Sequence, residues 1–137
     1  MQINAKAQVI VKARLAAAAV LVLAMSLAPV AAQVPSSDIK PYDDRLVRLA
    51  EILGSVHFLR ELCGANDGQF WRQRMQSLMD SEGSSALRRA RLARSFNTGY
   101  NNYSRTYNAC TASAQQAITR FLNEGADIAD QLVKTVP

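Results

Sequence analysis

His57 is the only histidine in this 137-residue chain, and histidine is the side chain whose ordinary pKa lets it carry a proton near neutral pH. Two chemistries are open to it: ligation of a metal or haem iron together with Met75 or Met79, and general-base work beside Glu61. The plain alternative is an ordinary helix residue pairing with Glu61 one turn on, and the four-residue spacing favours that alternative. A single histidine cannot assemble a Ser-His-Asp triad or a three-histidine zinc site, and no Cys-x-x-Cys-His run exists for covalent haem. The expectation is no metal and no cofactor.

Arg88, Arg89, Arg91 and Arg94 form a basic cluster, and guanidinium groups at that density can grip phosphates, anionic glycans or lipid headgroups. As a solvated helix face offset by Asp80 and Glu82, the same cluster needs no ligand. Tyr100, Tyr103 and Tyr107, with Phe70 and Trp71, offer aromatic faces on which sugars stack, and Asn101, Asn102 and Asn108 interleave with them. Helical spacing and a nearby cysteine favour a core role for these rings. Glu51 and Glu61 stand roughly 15 Å apart along one helix, too far for a paired-carboxylate mechanism. No Gly-rich phosphate loop, nucleophile elbow or EF-hand spacing is present. No catalytic residue is assigned, and the balance tilts away from an enzyme toward a binding or interaction module.

The elements that position these groups begin after an export signal. Lys6, Lys12 and Arg14 occur without an acid, and residues 15–27 form a 13-residue run that is apolar but for Ser26. This is the charged and apolar pattern of a secretory signal peptide, shorter than the ~20 residues a membrane span needs. The small residues of Pro29-Val30-Ala31-Ala32 place the cut after Ala32. No cysteine follows closely enough for a lipid anchor, the first being Cys63. The chain is therefore read as a cleavable signal over 1–32, a flexible leader over 33–41 and a helical domain over 42–134. The location expected is periplasmic, with no stable membrane span after cleavage.

Removing the signal leaves 13 basic and 11 acidic residues, a net charge of +2. The whole-chain pI of 9.6 thus owes much to the discarded segment, and nucleic acid is not an expected partner. An envelope protein or glycan is. Two cysteines, both in the mature part, read in an oxidising compartment as one Cys63–Cys110 bridge, the alternative being two buried free thiols.

Four apolar patterns then mark the helices. Pro41, Asp43 and Asp44 suit a helix start, and Leu46, Leu49, Leu53, Val56 and Leu59 or Arg60 follow steps of three and four up to Leu62. Gly64 is a left-handed stop. Asn66 and Gln69 resemble a capping box for a second helix to about Asp80, with Trp71, Met75, Leu78 and Met79 on one side. Ser84 or Ser85 caps a third.

From Ala86 one apolar phase runs through Leu92, Phe96, Tyr100, Tyr103, Tyr107, Cys110, Ala114, Ala117 and Phe121. A kink is expected over residues 97–102, which are poor in helix formers, and a second break at 123–125 before a short final helix. An unbroken 85–123 helix would be roughly 58 Å long, too long for a compact domain of this size. Either it bends back, or residues 111–134 project and use Ala114, Ala117, Ile118 and Phe121 to meet a partner or a second copy. The fold class is all-α: a small bundle of three to four helices stapled by one disulfide, with a long third helix.

With Tyr42-Asp43 opening helix one, the Leu62-Cys63-Gly64 stop, Phe70-Trp71, Phe96-Asn97, Tyr100 and Cys110, the chain resembles a family of uncharacterised exported alphaproteobacterial proteins, a domain of unknown function, over most of residues 42–133. The resemblance implies periplasmic location and supports the Cys63–Cys110 pairing. It lends no activity.

Overall fold

The structure is a computed structural model and describes residues 38–135; the signal peptide and most of the leader expected from the sequence lie outside the described residues. Within them the chain forms four helices: α1 (Asp43–Leu62), α2 (Phe70–Glu82), α3 (Ala86–Thr106) and α4 (Ala112–Thr135). No strand occurs among the described residues.

Helix α1 starts where the aspartates predict, with Asp43 and Asp44 against the positive end of the helix dipole. It ends in a Schellman motif. Gly64 has φ +76°, its N–H donates to Glu61 O at 3.1 Å, and Ala65 N–H donates to Arg60 O at 2.9 Å. The capping box expected for α2 does not form. Gly68, at φ +53°, turns the chain so that Gln69 becomes the N-cap residue, and no side chain caps the helix. Ser85 does cap α3, its Oγ accepting from Arg88 N–H at 3.1 Å.

Helix α3 passes through residues 97–102 without a break, and α4 is continuous through 123–125. The interruption lies instead at residues 107–111. Tyr107 is extended at φ −121° and ψ 126°, and Thr111 Oγ1 accepts from Ala114 N–H at 3.1 Å to cap α4. Poor helix formers at 97–102 are outvoted by packing: Gly99 is buried, and its missing side chain admits the backbone of α1.

Helix α1 is the central element, and α2, α3 and α4 all pack on it. Arg88 meets Asp43 at one end and Cys110 meets Cys63 at the other, so α1 and α3 run parallel. Arg72 reaches His57 while Glu82 reaches Tyr42, so α2 runs the other way. Arg48–Glu124 and Arg45–Thr135 likewise make α4 antiparallel to α1. The chain has turned back on itself, and Ala114, Ala117 and Phe121 are buried inside the fold.

One core cluster joins Tyr42, Leu46 and Ala50 to Met75, Leu92, Phe96 and Leu132; a second joins Ile52, Val56 and Leu59 to Ala114, Ala117 and Phe121. Helix α1 is therefore buried on more than the single stripe its leucines suggest, because Ala50, Gly54 and Ser55 are also inside. The Cys63–Cys110 disulfide is present, with Cα atoms 4.8 Å apart.

Candidate functional site

Four residues of α1 that lie on the side between α2 and α4, namely Leu49, Ile52, Leu53 and Val56, form the floor of an apolar groove of about 510 Å³. The wall from α2 carries Phe70, Trp71, Arg74, Ser77, Leu78 and Ser81. The opposite wall, from α4, carries Phe121, Leu122, Gly125, Ala126 and Ala129. Both wall helices pack on α1 rather than on each other, which leaves the seam between them open. Two large apolar residues remain exposed there, Phe70 at 41% and Leu122 at 36%. A concave, mostly apolar cleft of this volume lies within the ordinary range for small-molecule sites.

The polar features of the groove are few. Ser77 Oγ donates to Gln73 O at 3.0 Å and Ser81 Oγ to Ser77 O at 3.1 Å, so both hydroxyls have partners within their own helix. Among the described residues Arg74 is the only charged one in the lining, and its guanidinium carbon lies 4.7 Å from the Phe70 ring centroid. Trp71, the sole tryptophan, donates from Nε1 to Asp67 Oδ2 at 2.7 Å. The Asp67 carboxyl is held down at about 2, chiefly by the hydrogen-bonded Arg60 guanidinium and then by this indole N–H.

A second, polar pocket of about 460 Å³ lies at the other flank of α2, lined by His57, Glu61, Asp67, Arg72 and Tyr100 among others. His57 is only 5% exposed, and its Nε2 accepts from Arg72 Nε at 3.0 Å. An accepting Nε2 means that the neutral ring carries its proton on Nδ1. Burial lowers the His57 pKa, the Arg72 charge lowers it further, and Glu61 works weakly against both. The partner of His57 is thus Arg72 rather than the Glu61 that helical spacing suggests. Met75 is in the core with Leu92 and Phe96 and does not line the His57 pocket. Among the described residues no three His, Cys, Asp or Glu side chains are grouped to hold a metal ion.

The four arginines expected to bind anions have different fates. Arg88 is buried, its side chain 3% exposed, and it pairs with Asp43 at 2.5 Å and Glu82 at 3.4 Å. Arg89 donates to Met79 O at 2.9 Å and to Asp80 at 3.2 Å, and Arg91 lies 3.7 Å from Asp43. Arg94 alone is exposed without an ion pair to a described carboxylate. The tyrosines are half-buried: Tyr100 lies edge-on to Phe58, Tyr103 edge-on to Phe121, and Tyr107 stacks on Tyr103 while its hydroxyl meets Ser113 Oγ at 2.8 Å. Of the aromatic residues singled out in the sequence, Phe70 and Trp71 reach the groove and the tyrosines do not.

Sequence reasoning missed the groove. Its signal was a second apolar row on α4, Leu122, Ala126 and Ala129, beside the row that packs on α1. The matching sign on α2 was Phe70, Arg74, Ser77 and Ser81 flanking the apolar side.

A family model described as "Protein of unknown function (DUF2385)" matches residues 41–136. No curated protein and no solved structure matches the chain.

Proposed function

The chain belongs to the DUF2385 family, whose description names no activity, and from the geometry we propose that it is an exported binding module whose working surface is the groove between α2 and α4. The observation that carries this reading is the apolar seam of about 510 Å³, floored by α1 and left open by the side chains of the described residues. A small domain has few apolar residues to spare, so leaving Phe70 and Leu122 at a concave surface is a cost that a ligand would offset. Export to the periplasm is part of the reading. The basic and apolar N-terminal pattern supports it, as does the disulfide, a bond that persists in oxidising compartments. No helix among the described residues is long and apolar enough to cross a membrane.

The test is a titration of the oxidised protein with the neutral fluorophore N-phenyl-1-naphthylamine, read both by the probe and by Trp71 emission. Saturable binding is expected. Ala126 is exposed and lines the groove, so Ala126→Phe fills it without entering the core. Displacing two methylene equivalents, at about 0.8 kcal/mol each, lowers affinity about fifteenfold with the melting temperature unchanged. No saturable binding by the wild-type protein, or equal binding by Ala126→Phe, refutes the groove as the working surface.

A further inference from the structure

Five arginines of the described residues are ion-paired: Arg48 with Glu124, Arg60 with Asp67, Arg88 and Arg91 with Asp43, and Arg89 with Asp80. Among those that are not, Arg74 is the one that lines the apolar groove. It lies in a lining that contains no carboxylate, among the described residues no acid lies within ion-pair distance of it, and its guanidinium stacks on a ring that belongs to the same lining. A cation kept at an apolar groove, without an internal counter-ion, is complementary to an anion whose other end is apolar.

We propose that the occupant of the groove is a single-chain anionic amphiphile of the fatty-acid type, its hydrocarbon chain lying on the α1 floor and its carboxylate held by Arg74; this rests on the groove reading above. The interior of the groove offers such a head group no other site, because the Ser77 and Ser81 hydroxyls already donate to carbonyls of their own helix. Small residues on the two walls, Ser77 and Ser81 facing Gly125, Ala126 and Ala129, leave space for a slender chain. The α2 wall from Phe70 to Ser81 extends roughly 16 Å, which matches a chain of medium length. A concave floor between two helices admits one chain, whereas a bilayer surface calls for apolar side chains that project.

Decanoate and decanol, which share a chain and differ in head-group charge, separate the ligand class from the groove itself. Each is titrated below its aggregation concentration into the oxidised protein, with Trp71 emission as the readout. For wild type, decanoate is expected to bind about fivefold more tightly than decanol, the size of effect an exposed charge pair gives. That preference should vanish in Arg74→Gln and fall below unity in Arg74→Glu, while decanol affinity stays the same in all three. Along a series of carboxylates, affinity should rise about fourfold per added methylene and level off once the chain outgrows the wall.

Equal binding of decanoate and decanol by wild type, or a preference that survives Arg74→Gln, overturns the anionic assignment and leaves the groove reading standing. Binding of neither overturns both. Co-sedimentation with anionic phospholipid vesicles by protein that ignores monomeric decanoate overturns the single-chain occupant in favour of a membrane surface.

Discussion

Replacing Gly99 with alanine tests the crossing on which the whole arrangement depends. A Cβ built on Gly99 falls 2.0 Å from Glu51 O, 2.8 Å from Ser55 Oγ and 2.9 Å from the Glu51 carbonyl carbon. Ordinary van der Waals contact begins at 3.4 Å, so the backbone of α1 would have to retreat by about 1.4 Å, the difference between 3.4 and 2.0. Overpacking of this kind costs roughly 1–3 kcal/mol, and backbone obstruction places it at the upper end. The retreat also disturbs the Ser55 Oγ to Glu51 O hydrogen bond of 2.9 Å, worth about 1 kcal/mol. Against these, alanine regains roughly 1 kcal/mol of helix propensity. The net expectation is about 3 kcal/mol of destabilisation, or a fall of about 15 °C in a domain of this size. Gly125→Ala is the control, since its Cβ would meet only side-chain methyls, Ile52 Cγ2 at 3.3 Å and Leu49 Cδ1 at 3.8 Å, and no backbone. There the propensity gain prevails and Tm should rise by a few degrees. Thermal melts followed by far-ultraviolet circular dichroism, with urea titrations for the free energies, measure both variants. If Gly99→Ala melts with the wild type, the two helices do not cross at this contact.

Two further outcomes follow from the covalent and titrating groups. The Cys63–Cys110 bridge spans 47 residues, which in the chain-entropy model stabilises by about 4 kcal/mol; Cys63→Ser/Cys110→Ser should therefore melt about 20 °C lower and keep its helical signal at 25 °C. Equal melting of the two proteins would remove the bridge from the account of stability. The folded state lowers the His57 pKa, so the unfolded chain binds the proton more readily, and stability is complete above the unfolded value near 6.5 and declines as pH falls below it. Urea titrations between pH 7.5 and 5 should show this decline in wild type and a flatter profile in His57→Gln, whose amide can still accept from Arg72; parallel profiles would disprove the coupling.

The elements that sequence reasoning located well are those fixed by local chemistry. Gly64 ends α1 because only a residue tolerant of positive φ closes the Schellman turn there, and Ser85 caps α3 through its own hydroxyl. The all-α bundle of three to four helices followed from apolar spacing, and the bridge from two cysteines in a part of the chain expected to be exported. What the pattern misjudged depended on distant partners. Residues 97–102 look weak as an isolated helix, yet Gly99 lies where another backbone must approach, and the same lack of a side chain that lowers propensity permits the contact. Conversely, Tyr107 and Cys110 continue the helical phase by spacing, but the chain leaves the helix there and Thr111 restarts it with a side-chain cap. His57 lies on a helix as expected, but its partner comes from α2, a choice that spacing within α1 could not display.

The groove was least legible because it is a product of anchoring rather than of any one segment. Helix α2 is tied to the central rod and its neighbour by Arg72 on His57, by Met75 in the core and by Glu82 on Tyr42 and Arg88. Helix α4 is tied to the same rod by different groups: Phe121 on Val56, the disulfide just before its start, and Arg48, which bonds Glu124 at 2.7 and 3.0 Å and Glu51 at 3.1 Å. The Arg48 guanidinium also lies 5.6 Å from the centre of the Phe121 ring, and its hydrogen bonding, with a smaller contribution from its charge, lowers the Glu124 pKa. Closing the seam would require one wall to roll about α1 and break its own anchors. The small residues that face each other across it, Ser77 and Ser81 against Ala126 and Ala129, offer little apolar area in return. The open state is therefore the one in which both sets of anchors are satisfied at once, and an added chain that fills the seam gains burial without disturbing either.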